Sequence, residues 1–283
     1  MRFRPLAICV VLLIGLSSTV LCAKAAPQKP VLTPPQRIIS LSPGVTEMLF
    51  ALGLGKKIVG DTVYCDYPEA AKKIAKIGDV RPNYEKIVAL KPDMIVVDGV
   101  AEKSAAARLK QLHQPVFIIL PSSFAAVENS LLALGRATGR SEQARAVVAG
   151  MEHKRRQAAA LAKAHVGRRP RVFFVATLRP LWTAGRGTFV DDVIAIAGGD
   201  NSASSVQGYA EYSKELLVSK PPDVIFAGEH DLKTIRTDPA LRQLPAIRDN
   251  RVAGDGGEMI QRPGPRLADA AVYIAYVLYG GSR

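Results

Sequence analysis

The side chains best placed to do chemistry in this 283-residue chain lie in loops, and most of them are aromatic. Tyr64 and Tyr67 share one loop, Trp182 lies in Pro180-Leu-Trp-Thr-Ala-Gly-Arg-Gly187, and Tyr209 and Tyr212 follow further on. Aromatic faces beside a few polar groups suit a large, flat, partly apolar ligand. Trp182 reads equally as core packing or as a ligand contact, and the Pro and Gly around it read as a turn. A second irregular stretch, Gly256-Gly-Glu-Met-Ile-Gln-Arg262-Pro-Gly-Pro-Arg266, precedes the last apolar helix. There Arg262 or Arg266 could pair with an acidic or amide-rich ligand edge, or else be surface charge near a helix start. His230, in Gly228-Glu-His-Asp231, is either a ligand or axial metal contact or a residue of a surface turn.

No catalytic set accompanies these groups. Gly53-x-Gly55 with Gly60 follows a helix, whereas a dinucleotide fingerprint must follow a strand. The chain has no Walker loop, no Gly-x-Ser-x-Gly elbow and no histidines paired at metal spacing. His113, His153 and His165 fall in or beside helices among charged neighbours and read as solvated. Cys65 has no Cys-His arrangement around it and reads as a small packed residue.

Arg2 and Arg4 precede an apolar run from Leu6 to Leu16, and Ala23-Lys-Ala25 offers small residues for cleavage. The run is shorter than the roughly 20 apolar residues a membrane span needs, so a secretory signal cut near Ala25 is expected. Cys22 raises lipid attachment as the less favoured alternative, because Leu21 stands where a lipoprotein signal wants Gly or Ala. After cleavage Cys65 is the one cysteine left, so no internal disulfide can form. Losing Arg2, Arg4 and Lys24 lowers the formal charge from +13 to +10. Outside His153-Lys-Arg-Arg156 and Gly167-Arg-Arg-Pro-Arg171 the basic residues are scattered among acids without interleaved aromatics, which argues against a nucleic-acid partner.

The elements that must position the loops announce themselves by repetition. Glu85-Lys-Ile-Val-Ala-Leu-Lys-Pro-Asp93-Met-Ile-Val-Val97 is echoed by Glu215-Leu-Leu-Val-Ser-Lys-Pro-Pro-Asp223-Val-Ile-Phe-Ala227. Each copy reads as a short helix opened by a carboxylate, closed by Pro-Asp and followed by a buried strand. A weaker echo relates Glu47 and Gly53 to Asp192 and Gly198, each pair spanning an apolar helix that ends in glycine. Two echoes in the same order predict two similar lobes.

Strands are expected at Arg37–Ser42, Ile58–Val59, Val116–Leu120, Arg171–Thr177 and Arg251–Ala253, with helices at Pro43–Leu52, 102–112, 191–197 and Leu267–Tyr279. The last helix is apolar nearly all round and should be buried. From Ser141 to His165 there is no proline, and Ala144, Val148, Met151, Ala158 and Ala162 fall near one helical face, which predicts one long strut. The expected organisation is a signal peptide at 1–25, a Pro-rich leader at 26–35, an N-terminal α/β lobe at 36–140, a linking helix at 141–166 and a C-terminal α/β lobe at 167–283. At 48% hydrophobic residues, two separate cores are affordable.

On these residues the chain resembles the cobalamin-type periplasmic binding proteins of the iron-complex and vitamin B12 uptake family. The resemblance covers about residues 36–280. It is densest at Arg37-Ile-Ile-Ser-Leu-Ser-Pro-Gly-Val-Thr-Glu47, Val63-Tyr-Cys-Asp-Tyr-Pro68, Ile87-Val-Ala-Leu-Lys-Pro-Asp93 and Pro180-Leu-Trp-Thr-Ala-Gly185. It implies an α/β fold of two Rossmann-like lobes joined by one long rigid α-helix, with a largely preformed cleft. It also implies a monomeric receptor without intrinsic cofactor that hands cobalamin or a related corrinoid to an ABC importer, a dimeric permease with its ATPase.

By that resemblance Tyr64 contacts the ligand, as do Glu258, Met259, Ile260, Gln261 and Arg262, with Trp182 and Tyr209 adding aromatic area. Glu85 and Glu215 would dock, one per lobe, on arginines of the two membrane subunits, although both are also ordinary helix-start carboxylates. Tyr209 stands where a tryptophan is expected, and Met259 and Ile260 where aromatics are. Haem or a ferric siderophore, with Tyr64 or His230 as iron ligand, is therefore the alternative cargo. An exported enzyme using the cleft is the alternative from another class, and it would need an acid, base or nucleophile set that the sequence does not supply.

Overall fold

The structure is a computed structural model that describes residues 33–256 and 258–280. The expected signal peptide, Cys22 and the leader up to residue 32 lie outside the described residues.

The N-terminal lobe is a parallel sheet in the order β2-β1-β3-β4. Its strands are β1 (Ile38–Ser40), β2 (Ile58–Gly60), β3 (Met94–Asp98) and β4 (Val116–Ile119). β1 and most of β3 are buried, which is why they read as continuous apolar runs instead of alternating ones. Helix α1 (Pro43–Ala51) opens with Pro43, whose missing N–H is no loss there, and stops at Gly53 in the left-handed region with φ 73°. Helices α2 (Tyr84–Ala89), α3 (Lys103–Gln111), α4 (Phe124–Ala137) and α5 (Ser141–Lys163) follow.

The C-terminal lobe carries β5 (Arg171–Val175), β6 (Thr177–Leu178), β7 (Leu181–Ala184), α6 (Phe189–Ile196), β8 (Asp200–Asn201) and β9 (Tyr209–Glu211). It continues with α7 (Lys214–Ser219), β10 (Val224–Ala227), α8 (Leu232–Thr237), α9 (Pro245–Arg248), β11 (Val252–Gly254) and α10 (Leu267–Tyr279). Its parallel sheet runs β8-β5-β10-β11, the same succession as the first lobe, with an added antiparallel sheet β6-β7-β9. The stretch around Trp182, expected as a turn, is instead strand β7. Pro180 and Gly185 bound it, and pairing with Tyr209–Glu211 holds it extended.

The doubled motif performs one structural task twice. Asn83 and Ser213 cap α2 and α7, each side chain accepting from the backbone N–H three residues on. Asp93 Oδ1 then accepts from Arg37 N–H (2.9 Å) and Asp223 Oδ2 from Arg171 N–H (2.7 Å), while each Asp N–H donates to the same residue's carbonyl. Each Pro-Asp thus pins the start of the strand beside it, β1 or β5, and sets the sheet register.

Helix α5 has 23 residues and runs about 35 Å at 1.5 Å per residue. Ala144, Met151 and Ala158, seven apart, are its buried seam, and small alanines there let α4 and α10 approach closely. One core cluster holds Ile38 and Val96 of the first sheet, Val172 and Phe226 of the second, and buried side chains of α1, α4, α5, α6 and α10. A shared apolar core of this kind restrains the lobes from moving relative to each other.

Candidate functional site

Ligands of open parallel sheets sit beyond the carboxyl ends of the strands, where loops from both halves converge. A cavity of about 440 Å³ occupies that position between the lobes. The first lobe contributes Asp98, Val100 and Ala101 after β3 and Pro121 and Ser122 after β4. The second contributes Phe174 and Ala176 from the end of β5, Gly187-Thr188-Phe189 at the start of α6, Gly208-Tyr209, Gln261 and Pro263. The lining is mainly apolar, and Asp98 is its one formal charge among the described residues.

The antiparallel sheet explains the aromatic rim. Trp182 lies opposite Glu211, and Tyr209 opposite Ala184, so Trp182 and Tyr209 are diagonal neighbours on one face of the sheet. Leu178, Leu181 and Thr183 fill the other face. Tyr209 stands 6.2 Å from the Phe189 ring, and both line the cavity. Trp182, Tyr64 and Tyr67 are exposed, as are Val63, Val100 and Leu120. Tyr67 already carries the Arg266 guanidinium 3.8 Å from its ring centre. Tyr212 is buried against Phe173 and belongs to the core.

The stretch before α10 divides its labour in a way the sequence does not disclose. Gln261 lines the cavity, where its amide donates to Asp255. Ile260 is 1% exposed and packs in the core, and Met259 packs against the same cluster. Arg262 is 6% exposed and does not line the cavity. Its guanidinium donates to Asp66 Oδ1 (2.6 Å) and the Tyr64 carbonyl (3.3 Å) on the opposite lobe, and to Glu258 on its own. The expected ligand arginine is thus engaged as a brace between lobes, with Glu258 as one of its partners. Arg266 Nε and Nη2 donate to both oxygens of buried Glu47 in α1 (3.0 and 2.6 Å). Reciprocally, Asp192 in α6 accepts from Phe124 N–H of α4 (2.8 Å). The weaker echo in the sequence therefore marks two equivalent carboxylates, each reaching into the other lobe. Gly44 completes the seam, because a Cβ there would come within 2.7 Å of the Pro263 carbonyl oxygen.

His230 is exposed, lies 3.3 Å from Asp231 and borders a separate shallow groove. Among the described residues no group of three or more His, Cys, Asp or Glu side chains is placed to hold a metal ion. Glu85 and Glu215 are exposed on α2 and α7, away from the cleft, beside surface grooves of about 770 and 840 Å³.

Asp98, Ser122, Thr188 and Phe189 were not singled out from the sequence. The available signal was a carboxylate closing the apolar run Met94–Val97, at the end of a strand predicted to be buried. Burial, with the Asp98 carboxylate as a second cause, pushes the neighbouring Glu102 carboxyl up to about 8. Desolvation and then Asp98 likewise push the Tyr209 phenol up, although the residue is 44% exposed, so it remains a neutral donor. The folded chain keeps a proton on Glu102 that the unfolded chain releases near 4.5. This group's stabilisation is therefore complete below that pH and drains away as pH rises towards about 8. Glu102→Gln should flatten that decline, so its melting-temperature advantage over wild type grows from about pH 5 to about pH 9. A difference that stays constant over that range would refute the assignment.

Two parallel-sheet lobes sharing a core with one long helix, and enclosing a cleft at their strand ends, define a solute-binding protein of the kind that serves ABC transporters. The chain belongs to the periplasmic binding protein family, which it matches over residues 38–258. That family consists of solute-binding transport proteins, not enzymes, and its members act outside the cytoplasmic membrane. Among the described residues no helix is long and apolar enough to cross a membrane. The chain is 29% identical to the uncharacterised ABC transporter substrate-binding lipoprotein YvrC of Bacillus subtilis, over 87% of this chain and 80% of that protein. Its structure is similar to that of the vitamin B12 binding protein BtuF of Vibrio cholerae, with a TM-score of 0.78 and 26% identity over 87% of this chain and 98% of that one. It is equally similar to the haem-binding protein RhuT of Roseiflexus sp. RS-1, with a TM-score of 0.78 and 28% identity over the same shares.

Proposed function

We propose that this chain captures cobalamin or a related corrinoid between its lobes and delivers it to an ABC importer. The observation that carries the reading is the mainly apolar 440 Å³ cavity opening beside Tyr209 and Trp182, which share one sheet face. A corrinoid would seat part of its ring system in the cavity and lean the rest on that face and on Tyr64. The similarity to a vitamin B12 binding protein supports this cargo. The similarity to a haem-binding protein supports haem as the second reading.

In this reading the working protein is a monomer of two lobes, 36–140 and 167–283, joined through 141–166. It is released into the periplasm after cleavage near Ala25. Anchoring through Cys22 is the alternative, to which the lipoprotein relative lends weight. Its partner is a dimeric permease with an ATPase, met through Glu85 and Glu215.

The test is to mix purified protein with cyanocobalamin or with haem, separate free ligand and record the visible spectrum. Co-eluting corrin absorbance is expected, whereas a haem band alone would replace the first reading by the second. Tyr209→Ala should weaken binding by about tenfold, the loss of an aromatic wall plus its buried area. Unchanged affinity would remove Tyr209 from the site.

A further inference from the structure

Asp98 is 5% exposed and lies at the carboxyl end of β3, on the floor of the cleft. Its Oδ1 accepts from the Val100 N–H (2.9 Å) and the Ala101 N–H (3.2 Å), so the turn after the strand locks the carboxylate in place. Its Oδ2 receives no hydrogen bond among the described residues. That oxygen is not sealed off by the chain, and the cavity Asp98 lines is where a ligand donor can complete its coordination. Among the described residues nothing in that cavity offsets its charge, because no Lys, Arg or His of theirs lines it. Lys103 and Arg186, each close in sequence to lining residues, are exposed and do not line the cavity. The other polar groups at the wall are the neutral Ser122, Thr188, Tyr209 and Gln261.

We propose that Asp98 sets the selectivity of the cleft: its free oxygen accepts from amide or other N–H groups on a neutral or cationic ligand edge and turns away edges that carry carboxylates. The inference rests on the receptor reading above and narrows it to amide-fringed macrocycles over carboxylate-bearing ones. A ligand carboxylate brought beside Asp98 would meet a like charge in a poorly solvated site with no cation to bridge the two. An amide N–H would instead complete the coordination of Oδ2 with a charge-assisted hydrogen bond. Glu102, just behind Asp98, holds its proton at neutral pH and does not change the sign of the corner.

The test compares three probes by calorimetric titration of the mature chain at neutral pH: cyanocobalamin, haem with its two free carboxylates, and haem dimethyl ester. Wild type should bind cyanocobalamin, and should bind the ester at least about tenfold more tightly than free haem. Asp98→Asn keeps the shape and the Oδ1 acceptor. It should lose about tenfold in cyanocobalamin affinity and bring free haem and its ester towards equal affinity. The ester-to-acid ratio of wild type needs no variant, so a poorly folding Asp98→Asn protein would not spare the proposal. Equal affinity of wild type for haem and its ester, or a ratio that Asp98→Asn leaves unchanged, overturns the selectivity role while the receptor reading stands. Failure of all three probes to bind removes corrinoid and haem as the cargo, and this inference with them.

Discussion

Arg266→Ala is expected to lower the unfolding free energy by about 3 kcal/mol, the larger of two expected effects on which the two-lobed architecture can be judged. Glu47 is 3% exposed, and the two hydrogen bonds from Arg266 are the ones that satisfy its carboxylate. Arg262 approaches the same carboxylate at 3.6 Å, too far for a hydrogen bond. Removing Arg266 therefore leaves a buried carboxylate without a hydrogen-bond donor and with only the longer ion pair to Arg262, which is the costly way to break such a pair. It also strips the cation from the face of Tyr67. Arg262→Ala should cost less, because Asp66 and Glu258 are about half exposed and can turn to water. Urea unfolding of both variants gives the comparison. Because the lobes share one core, a single transition is expected. Adding Glu47→Ala to Arg266→Ala should recover part of the loss, since the buried carboxylate left without a donor disappears with its partner. Additive losses, or an Arg266→Ala cost below about 1 kcal/mol, would mean that this seam does not hold the lobes together.

The same seam shows how far the sequence could be read. Runs such as Ile38–Ser40 and Leu267–Tyr279 declare their strand or helix by local pattern alone, and the seven-residue spacing of Ala144, Met151 and Ala158 declares the long helix. The spacing of Glu47 and Asp192 to their glycines was visible as well, and pointed to equivalent positions in two lobes. What those carboxylates touch was not visible, because Arg266 lies 219 residues from Glu47 and Phe124 lies 68 from Asp192. Nor could the sequence say which arginine of 262 and 266 faces a ligand. Arg266 is committed to Glu47 and Arg262 to Asp66, acids brought near only by the packing of one lobe on the other, while Glu258 is a local partner of Arg262.

Strand β7 escaped for a related reason. Pro180, Gly185 and Gly187 are local turn signals, and only pairing with Tyr209–Glu211 overrides them. Helix α4 went unassigned although Val127, Leu131 and Leu134 recur at helical spacing and are buried. Asp98 is the most instructive omission. A carboxylate ending an apolar strand is legible, but which of its oxygens the chain leaves without a donor is a property of the folded loop.

Reversing both Glu85 and Glu215 to arginine is expected to abolish uptake while leaving ligand affinity unchanged. Both residues sit at the second position of short helices that occupy equivalent places in the two lobes, each exposed and each beside a groove. Neither lines the inter-lobe cavity, so their charge can be changed without touching the proposed binding site. The helix N-terminus and the Ser213 hydroxyl hold the Glu215 carboxyl below its usual range, so the knob stays charged outside the membrane. A two-fold pair of membrane subunits presenting the same arginines would meet these two knobs as near copies, despite the different lobes behind them. In that arrangement arginine against arginine at both ends would replace two attractions by two repulsions of several kcal/mol in all, enough to cut productive docking at least about a hundredfold. The pseudo-symmetry adds a quantitative demand. Glu85→Arg and Glu215→Arg alone should impair uptake to similar degrees, and each less than the pair. Normal uptake by the double variant would leave these glutamates as helix-start carboxylates only, and a loss confined to one of the two would mean that the repeated motif serves the sheets without serving the importer.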